Sequence, residues 1–192
     1  MTNKSLRNFN SLKFEYSCES FLEVTSYEDL FKLSKEIRKS KTKYWILGEG
    51  TNVVILNDLK GIVIKNRLLG ITITDNSVES ASGENWDDLV KVCLQKKLYG
   101  FENLSGIPGS VGGSPIQNIG AYGVEVSNFI DYVETINLDT GNLEVFNFEE
   151  CKFSYRESIF KKLPNLFITK IKFSLSKVFK PNLAYESIPK DI

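Results

Sequence analysis

Histidine is missing from all 192 residues, and that absence excludes more than any other feature of the chain. Without an imidazole there is no Ser-His-Asp or Cys-His nucleophilic site, no histidine general base and no histidine metal ligand. Cysteine is scarce as well: Cys18, Cys93 and Cys151 are odd in number, far apart and in no C-x-x-C arrangement. They suggest neither a disulfide framework nor a zinc site, and no metal is expected. Neither sign of charge is in excess, with 24 Lys and Arg against 24 Asp and Glu, so nothing points to a nucleic acid or an anionic membrane as partner. No run approaches the roughly 18 apolar residues that span a bilayer, and the polar start, Met1 to Asn10, is unlike a signal peptide. The expected compartment is the cytosol.

What the chain does have is a quarter charged and 42% hydrophobic residues, an ordinary globular balance, and length for one full domain or one small plus one medium domain. Its most unusual stretch is Leu104 to Gly123, which holds six of the thirteen glycines among Pro108, Pro115, Ser110 and Ser114. Glycine weakens helix and strand interiors and proline removes a backbone donor, so this is no amphipathic element. Such a stretch offers backbone N–H groups with no side chain in front of them, which suits a phosphate or pyrophosphate at close range. It reads either as a cradle for a phosphorylated ligand or as a convoluted loop between sheet elements.

In chain order, Phe21 to Val24 reads as a strand, and Ser26 with Asp29 opens a helix to about Lys39 that carries Leu30, Leu33 and Ile37 on one face. Tyr44 to Leu47 is an apolar strand, Val53 to Leu56 another candidate, and Ile62 to Ile64 a third. Beyond Gly70 the spacing predicts a hairpin around Asn76-Ser77, then a helix introduced by Ser82 and Glu84 whose Trp86, Leu89, Val90, Cys93 and Leu94 follow the helical template. That stripe is read as core, and a short helix is expected near Ile116 to Ile119. Ile130 to Leu138 and Leu143 to Phe148 flank a hairpin signal at Asp139-Thr140-Gly141, and Phe167 to Leu175 alternates as a strand. The expected division is a small α+β unit over residues 1–70 and a second unit over residues 71–192.

Gly48-Glu49-Gly50-Thr51-Asn52 follows the apolar strand directly and is a second glycine-bearing turn. It reads as a plain tight turn, or as a partner to the longer stretch that closes on the same phosphate from the other side. Contacts are expected from its backbone, the Thr51 hydroxyl and the Asn52 amide, because a Glu49 carboxylate facing a phosphate would repel it. Neither G-x-G-x-x-G opening a helix nor G-x-x-x-x-G-K-[ST] occurs. Arg156, in Phe153-Ser154-Tyr155-Arg156-Glu157-Ser158, offers a bidentate fork for a carboxylate or phosphate; the alternative is a surface pairing with Glu157 or Glu150. Tyr185 by itself reads as a tail residue.

Taken in order, Ile46-Leu47-Gly48-Glu49-Gly50-Thr51-Asn52-Val53, Ser82-Gly83-Glu84-Asn85-Trp86, Gly100 to Val124 and Tyr155-Arg156-Glu157-Ser158-Ile159-Phe160 resemble the UDP-N-acetylenolpyruvoylglucosamine reductases of bacterial peptidoglycan precursor synthesis, in their type I form. The resemblance implies an α+β, two-subdomain FAD-binding fold of the p-cresol methylhydroxylase and vanillyl-alcohol oxidase type, not a Rossmann fold. It implies FAD held non-covalently, there being no histidine to carry it, and NADPH as hydride source. Gly48, Glu49, Gly50, Thr51 and Asn52, with Ile107, Pro108, Gly109, Ser110, Val111, Gly112, Gly113 and Ser114, match the family's cofactor-binding positions. Arg156 matches a catalytic residue near the enolpyruvyl carboxylate, and Tyr185 a residue that binds the UDP-sugar. The family's serine proton donor, in a G-S-F-F-K-N-P type segment of a third domain, has no counterpart here, so the expectation is an FAD-binding part that is inactive alone. A non-catalytic flavin- or nucleotide-binding module, or an FAD oxidoreductase of the same fold with another substrate, are the alternatives.

Overall fold

The computed structural model describes residues 3–183. The chain begins a four-stranded sheet with β1 (Lys4–Ser5) and β2 (Ser17–Val24), which pair antiparallel. Helix α1 (Tyr27–Ser40) follows, and Ser26 caps it by accepting from the Asp29 N–H, as the sequence pattern implies. Leu30, Leu33 and Ile37 form its buried stripe, and Lys41, in the left-handed region at φ 53°, ends it. The chain returns as β3 (Tyr44–Leu47) and β4 (Leu59–Asn66), and β4 lies parallel between β2 and β3. A central parallel strand buries both faces. Accordingly, Ile64 joins the α1 core, while Val63 joins Leu6, Cys18, Leu47 and Ile55 on the other side.

Val53 to Leu56 forms no strand. Only Ile55 reaches a buried position, while Val53, Val54 and Leu56 stay exposed and the segment runs from the Gly48–Asn52 turn as open chain. A four-residue β pattern has no strand to pair with there, and pairing, not β-branching alone, makes a strand.

The second sheet is antiparallel. Strands β5 (Ile71–Thr74) and β6 (Ser77–Ala81) form the expected hairpin, with Asp75 at φ 56° placing the turn at Asp75-Asn76. Helix α2 (Trp86–Gln95) begins later than Ser82: its cap is Asn85, which accepts from the Asp88 N–H. Ser82 instead accepts a hydrogen bond from the Asn66 amide at 2.7 Å, and Glu84 accepts from the Gly70 N–H. The glycine-rich stretch contains a single 3₁₀ turn at Val111–Gly113 and no helix at Ile116 to Ile119, where Asn118 at φ 46° cannot continue a right-handed helix. A two-stranded ribbon follows, β7 (Gly120–Ala121) with β8 (Val124–Glu125). Strands β9 (Ile130–Asn137) and β10 (Leu143–Asn147), the short helix α3 (Phe148–Cys151) and β11 (Leu166–Ser174) complete the order β10-β9-β11-β6-β5.

Strand β11 departs from simple alternation in an instructive way. A register irregularity against β9 between Ile168 and Lys170 lets Phe167 pack with the α1 stripe while Ile168, Ile171 and Phe173 pack in the α2 core. One strand thereby serves two of the three hydrophobic cores, the α1 core and the α2 core. Phe173 sits at the centre of the larger one, edge-on to Phe101 at 5.2 Å and to Trp86 at 6.2 Å between ring centroids. All three cysteines are buried and unpaired, and burial pushes the Cys93 and Cys151 thiols up to about 12. Among the described residues, no helix is long and apolar enough to cross a membrane.

Phe173→Ala should lower unfolding stability by about 3–5 kcal/mol. Urea denaturation reads this as a shifted midpoint at unchanged slope, and a loss below ~1 kcal/mol would show that the aromatic cluster is not tightly packed.

Candidate functional site

The Gly48–Asn52 turn leaves the edge strand β3 and is shaped by what lies beneath it. Gly50 has φ 69°, and a Cβ there would come within 2.0 Å of the Phe9 carbonyl oxygen, so the position accepts glycine alone. The Ser11 N–H donates to the Gly50 carbonyl and fixes the N-terminal segment under the turn. The Glu49 side chain turns toward Lys65 on β4, 2.6 Å away. Lys65 also donates to the Gly48 carbonyl at 2.6 Å, and the Arg67 guanidinium stands 3.7 Å from the same Glu49 oxygen.

The second loop is carried by the segment leading into α2. The Trp86 N–H donates to Gly109 O, Val111 N–H to Glu84 O and Gly112 N–H to Ser82 O, so residues 109–112 run alongside residues 82–86 like a short strand. A Cβ on Gly112 would meet the Ser82 Cβ at 2.7 Å, so this close approach requires glycine. The start of the stretch is clamped by Asp87, whose carboxylate accepts from the Ser105 hydroxyl at 2.8 Å and the Gly106 N–H at 2.7 Å. With Lys91 alongside at 2.9 Å, these donors hold the carboxyl down at about 2, the Gly106 N–H contributing most.

Between the two loops lies a cleft of about 210 Å³, lined among others by Gly48 to Val53, Ile107 to Ser110, Gly113 and Ser114. A second, mostly apolar cavity of about 180 Å³ shares Ile46, Gly48, Ser110, Gly113 and Ile116 with the cleft and is further walled by Phe160, Leu163, Leu166 and Ile168 with Asn66. A Cβ on Gly48 would lie 2.8 Å from the Ser110 hydroxyl oxygen, at a wall that the two cavities share. The loops also touch across the cleft, through Thr51 Oγ1 donating to Pro108 O at 3.2 Å and the Asn52 amide to Gln117 Oε1 at 3.0 Å. The N–H groups of Glu49 to Asn52, and those of Gly109 and Ser110, donate to no acceptor among the described residues. Unpaired amides on two facing loops are the chemistry of an anion cradle. An elongated ligand with an anionic middle and an apolar ring at one end suits this shape.

Most of the cofactor positions read from the sequence therefore come together around one cleft. Val111 is the exception, since its side chain lies in the core and its N–H is committed to Glu84; Gly112 faces only the apolar cavity. Arg156 does not line the cleft. It is exposed, at φ 55°, and its Nη2 donates to the Gly120 carbonyl at 2.9 Å, just beyond the lining residue Ile119. The surface pairing weighed for it is not formed: Glu157 pairs with Lys161, and Glu150 accepts from the Asn147 N–H at the start of α3. Tyr185 lies outside the described residues.

Four contributors had no individual reading at the sequence level. Asn118 is buried, donates to Ser154 O and Glu125, accepts from the Ser127 N–H, and so ties the glycine-rich stretch to the Arg156 loop. Gln117, Asn66 and Lys65 are the others. Lys65 carried a signal, because a lysine inside the run Ile62-Val63-Ile64 of a parallel strand needs a buried partner. Among the described residues, no group of three or more His, Cys, Asp or Glu side chains is placed to hold a metal ion.

Residues 19–147 match the FAD binding domain family. Curated relatives are UDP-N-acetylenolpyruvoylglucosamine reductases. The one from Shewanella oneidensis is 41% identical over 187 residues, which covers 94% of this chain and 55% of the relative. That from Buchnera aphidicola subsp. Baizongia pistaciae is 37% identical over 192 residues, covering 97% of this chain and 58% of the relative. The chain thus spans about half the length of the curated relatives it matches. The crystal structure of UDP-N-acetylenolpyruvylglucosamine reductase from Thermus caldophilus matches with TM-score 0.76 at 25% identity, over 91% of this chain and 62% of that one. Substrate-bound p-cresol methylhydroxylase matches with TM-score 0.62 at 14% identity, over 83% of this chain and 36% of that one, a likeness of fold alone. The fold type expected from the sequence is borne out.

Asp87 gives a pH prediction. A carboxyl depressed in the folded state contributes stability above its ordinary value of 3.8 and loses it as pH falls toward about 2. Asp87→Asn should therefore be less stable than the parent at neutral pH, with the gap closing across that window. Urea midpoints at a series of pH values check this, and a gap that does not change with pH removes Asp87 as the clamp.

Proposed function

The chain belongs to the FAD binding domain family, and from that premise we propose that it is the FAD-binding part of a UDP-N-acetylenolpyruvoylglucosamine reductase, taking hydride from NADPH to convert a UDP-sugar enolpyruvate to UDP-N-acetylmuramate. The observation that carries the proposal is the pair of glycine loops that line one cleft and carry backbone amides with no acceptor among the described residues. A cytosolic location goes with this reading, as does a division into FAD-binding subdomains over residues 1–70 and 71–192.

In this reading the amides of Glu49 to Asn52 and of Gly109 and Ser110 receive the pyrophosphate, with the Thr51 hydroxyl and Asn52 amide beside them. The apolar walls from Ile46, Phe160, Leu163, Leu166 and Ile168 take an aromatic end of the cofactor and keep water away from it. When bound, FAD supplies the carrier that passes hydride from the nicotinamide to the substrate. Arg156 has the task of holding the substrate carboxylate, where a guanidinium stabilises the negative charge that builds up as the vinyl ether is reduced. Its backbone is fixed for this by Lys161, which donates to the Arg156 carbonyl at 2.5 Å, and its guanidinium is held at Gly120. Tyr185 is assigned to the UDP-sugar. The 192 residues contain no histidine, so they offer no histidyl link to a flavin, and in this reading the cofactor is held by contacts alone.

Two variants test the reading. Gly48→Ala sets a methyl group against the Ser110 hydroxyl at the wall the two cavities share and should weaken FAD binding at least about tenfold, seen as loss of flavin absorption in the purified protein. A folded wild-type sample that carries no flavin and takes up none when FAD is added would sink the proposal. Arg156→Ala should leave bound flavin unchanged and weaken the enolpyruvyl substrate about ten- to hundredfold, followed by the change that substrate causes in the flavin spectrum. Substrate binding with wild-type affinity in that variant removes Arg156 from the site.

A further inference from the structure

Beneath the Gly48–Asn52 turn lies an ion pair that the proposed function does not yet use. Lys65 sits on the central strand β4 between Ile64 and Asn66, its side chain 3% exposed, whereas that of its partner Glu49 is 35% exposed at the lip of the cleft. Both contacts of the ammonium, with Glu49 Oε1 and with the Gly48 carbonyl, measure 2.6 Å. An ammonium taken this far out of water persists only when paired and hydrogen-bonded, so the arrangement is costly to build. A simple tight turn does not require it.

Two consequences follow for the face that the turn presents. A trans peptide is planar, with its carbonyl and N–H on opposite sides, and the described chain has no cis bond. The Gly48 carbonyl drawn to Lys65 therefore sends the Glu49 N–H the other way, at the head of the run of amides that lack protein acceptors. Lys65 also offsets the carboxylate charge of a residue that lines the cleft, where an unbalanced negative group would repel an anion. Arg67 stands near the same carboxylate at 3.7 Å but is shared with Glu23 at 3.4 Å and is itself part-exposed. Lys65 is thus the buried counter-charge.

We propose that Lys65 is a positioning residue for anion binding: by cancelling Glu49 and turning the Gly48 carbonyl away, it makes an acidic turn into a receiver of the cofactor's pyrophosphate. This rests on the FAD reading of the cleft, and its test separates the two. FAD is titrated into flavin-free protein and binding followed by flavin fluorescence, for wild type, Lys65→Met, Glu49→Gln and the double variant. Lys65→Met leaves the carboxylate uncancelled and should weaken FAD about tenfold or more. Glu49→Gln keeps an oxygen to accept from Lys65 while removing the negative charge, so it should bind FAD at least as tightly as wild type. The double variant restores the charge balance but not the pull on the Gly48 carbonyl, so it should bind FAD at least about threefold more tightly than Lys65→Met, a recovery that general loosening of the fold would not give.

The inference is overturned if Lys65→Met binds FAD like wild type, if Glu49→Gln weakens binding, or if the double variant fails to recover. Should Lys65→Met not fold, Glu49→Gln decides by the same criterion. A wild-type protein that binds no FAD removes the cofactor reading itself, and with it the anion to which this pair is assigned.

Discussion

The hydrogen bonds made by residues 82–86 are the constraint on which the rest depends. This short segment donates from Ser82 to Thr169 on β11 and from Gly83 to Leu68 beyond β4, so it is fastened to both sheets at once. On its other side it pairs with residues 109–112 of the glycine-rich stretch. Gly83 allows the first approach, since a Cβ would come within 2.6 Å of the Leu68 backbone, and Gly112 allows the second. A stretch with so little side-chain packing has few means of fixing its own shape, and here its position is set by backbone bonds to a segment that the two cores already hold rigid.

The same logic explains how the facing turn stays in place. Its amides lack partners, so it is not held by its own hydrogen bonds, and it relies on the N-terminal segment below, on Lys65 and on the crossing contacts from Thr51 and Asn52. Leaving donors unsatisfied costs free energy unless water or a ligand meets them. The protein concentrates that cost on the two loops, while the glycine-rich stretch is tied down elsewhere by side chains such as Asn118, whose buried amide uses its oxygen and nitrogen on three neighbours.

Much of this was legible in the sequence, for identifiable reasons. Helix α1, the hairpin of β9 and β10, and β11 follow from caps, turn residues and hydrophobic period, which are local. The misreadings have a common cause, a tertiary partner that local pattern cannot supply. Val53 to Leu56 looks like a strand and has nothing to pair with; Ser82 looks like a helix cap and is committed to Asn66 instead. At the site, glycines pointed to the two loops because glycine reports on backbone geometry. Lys65, Asn66 and Gln117 meet their partners only through folding, across separations of 16 to 65 residues; the apolar run before Lys65 tells that it needs a partner, but nothing local tells which.

The buried thiols have a meaning beyond packing. Only the thiolate form of cysteine is readily attacked by oxidants. Burial pushes the Cys93 and Cys151 thiols up to about 12, which keeps both in the thiol form near pH 7. Burial raises Cys18 as well. The apolar cores that hold the sheets together thus also keep the chain's sulfur in its unreactive form.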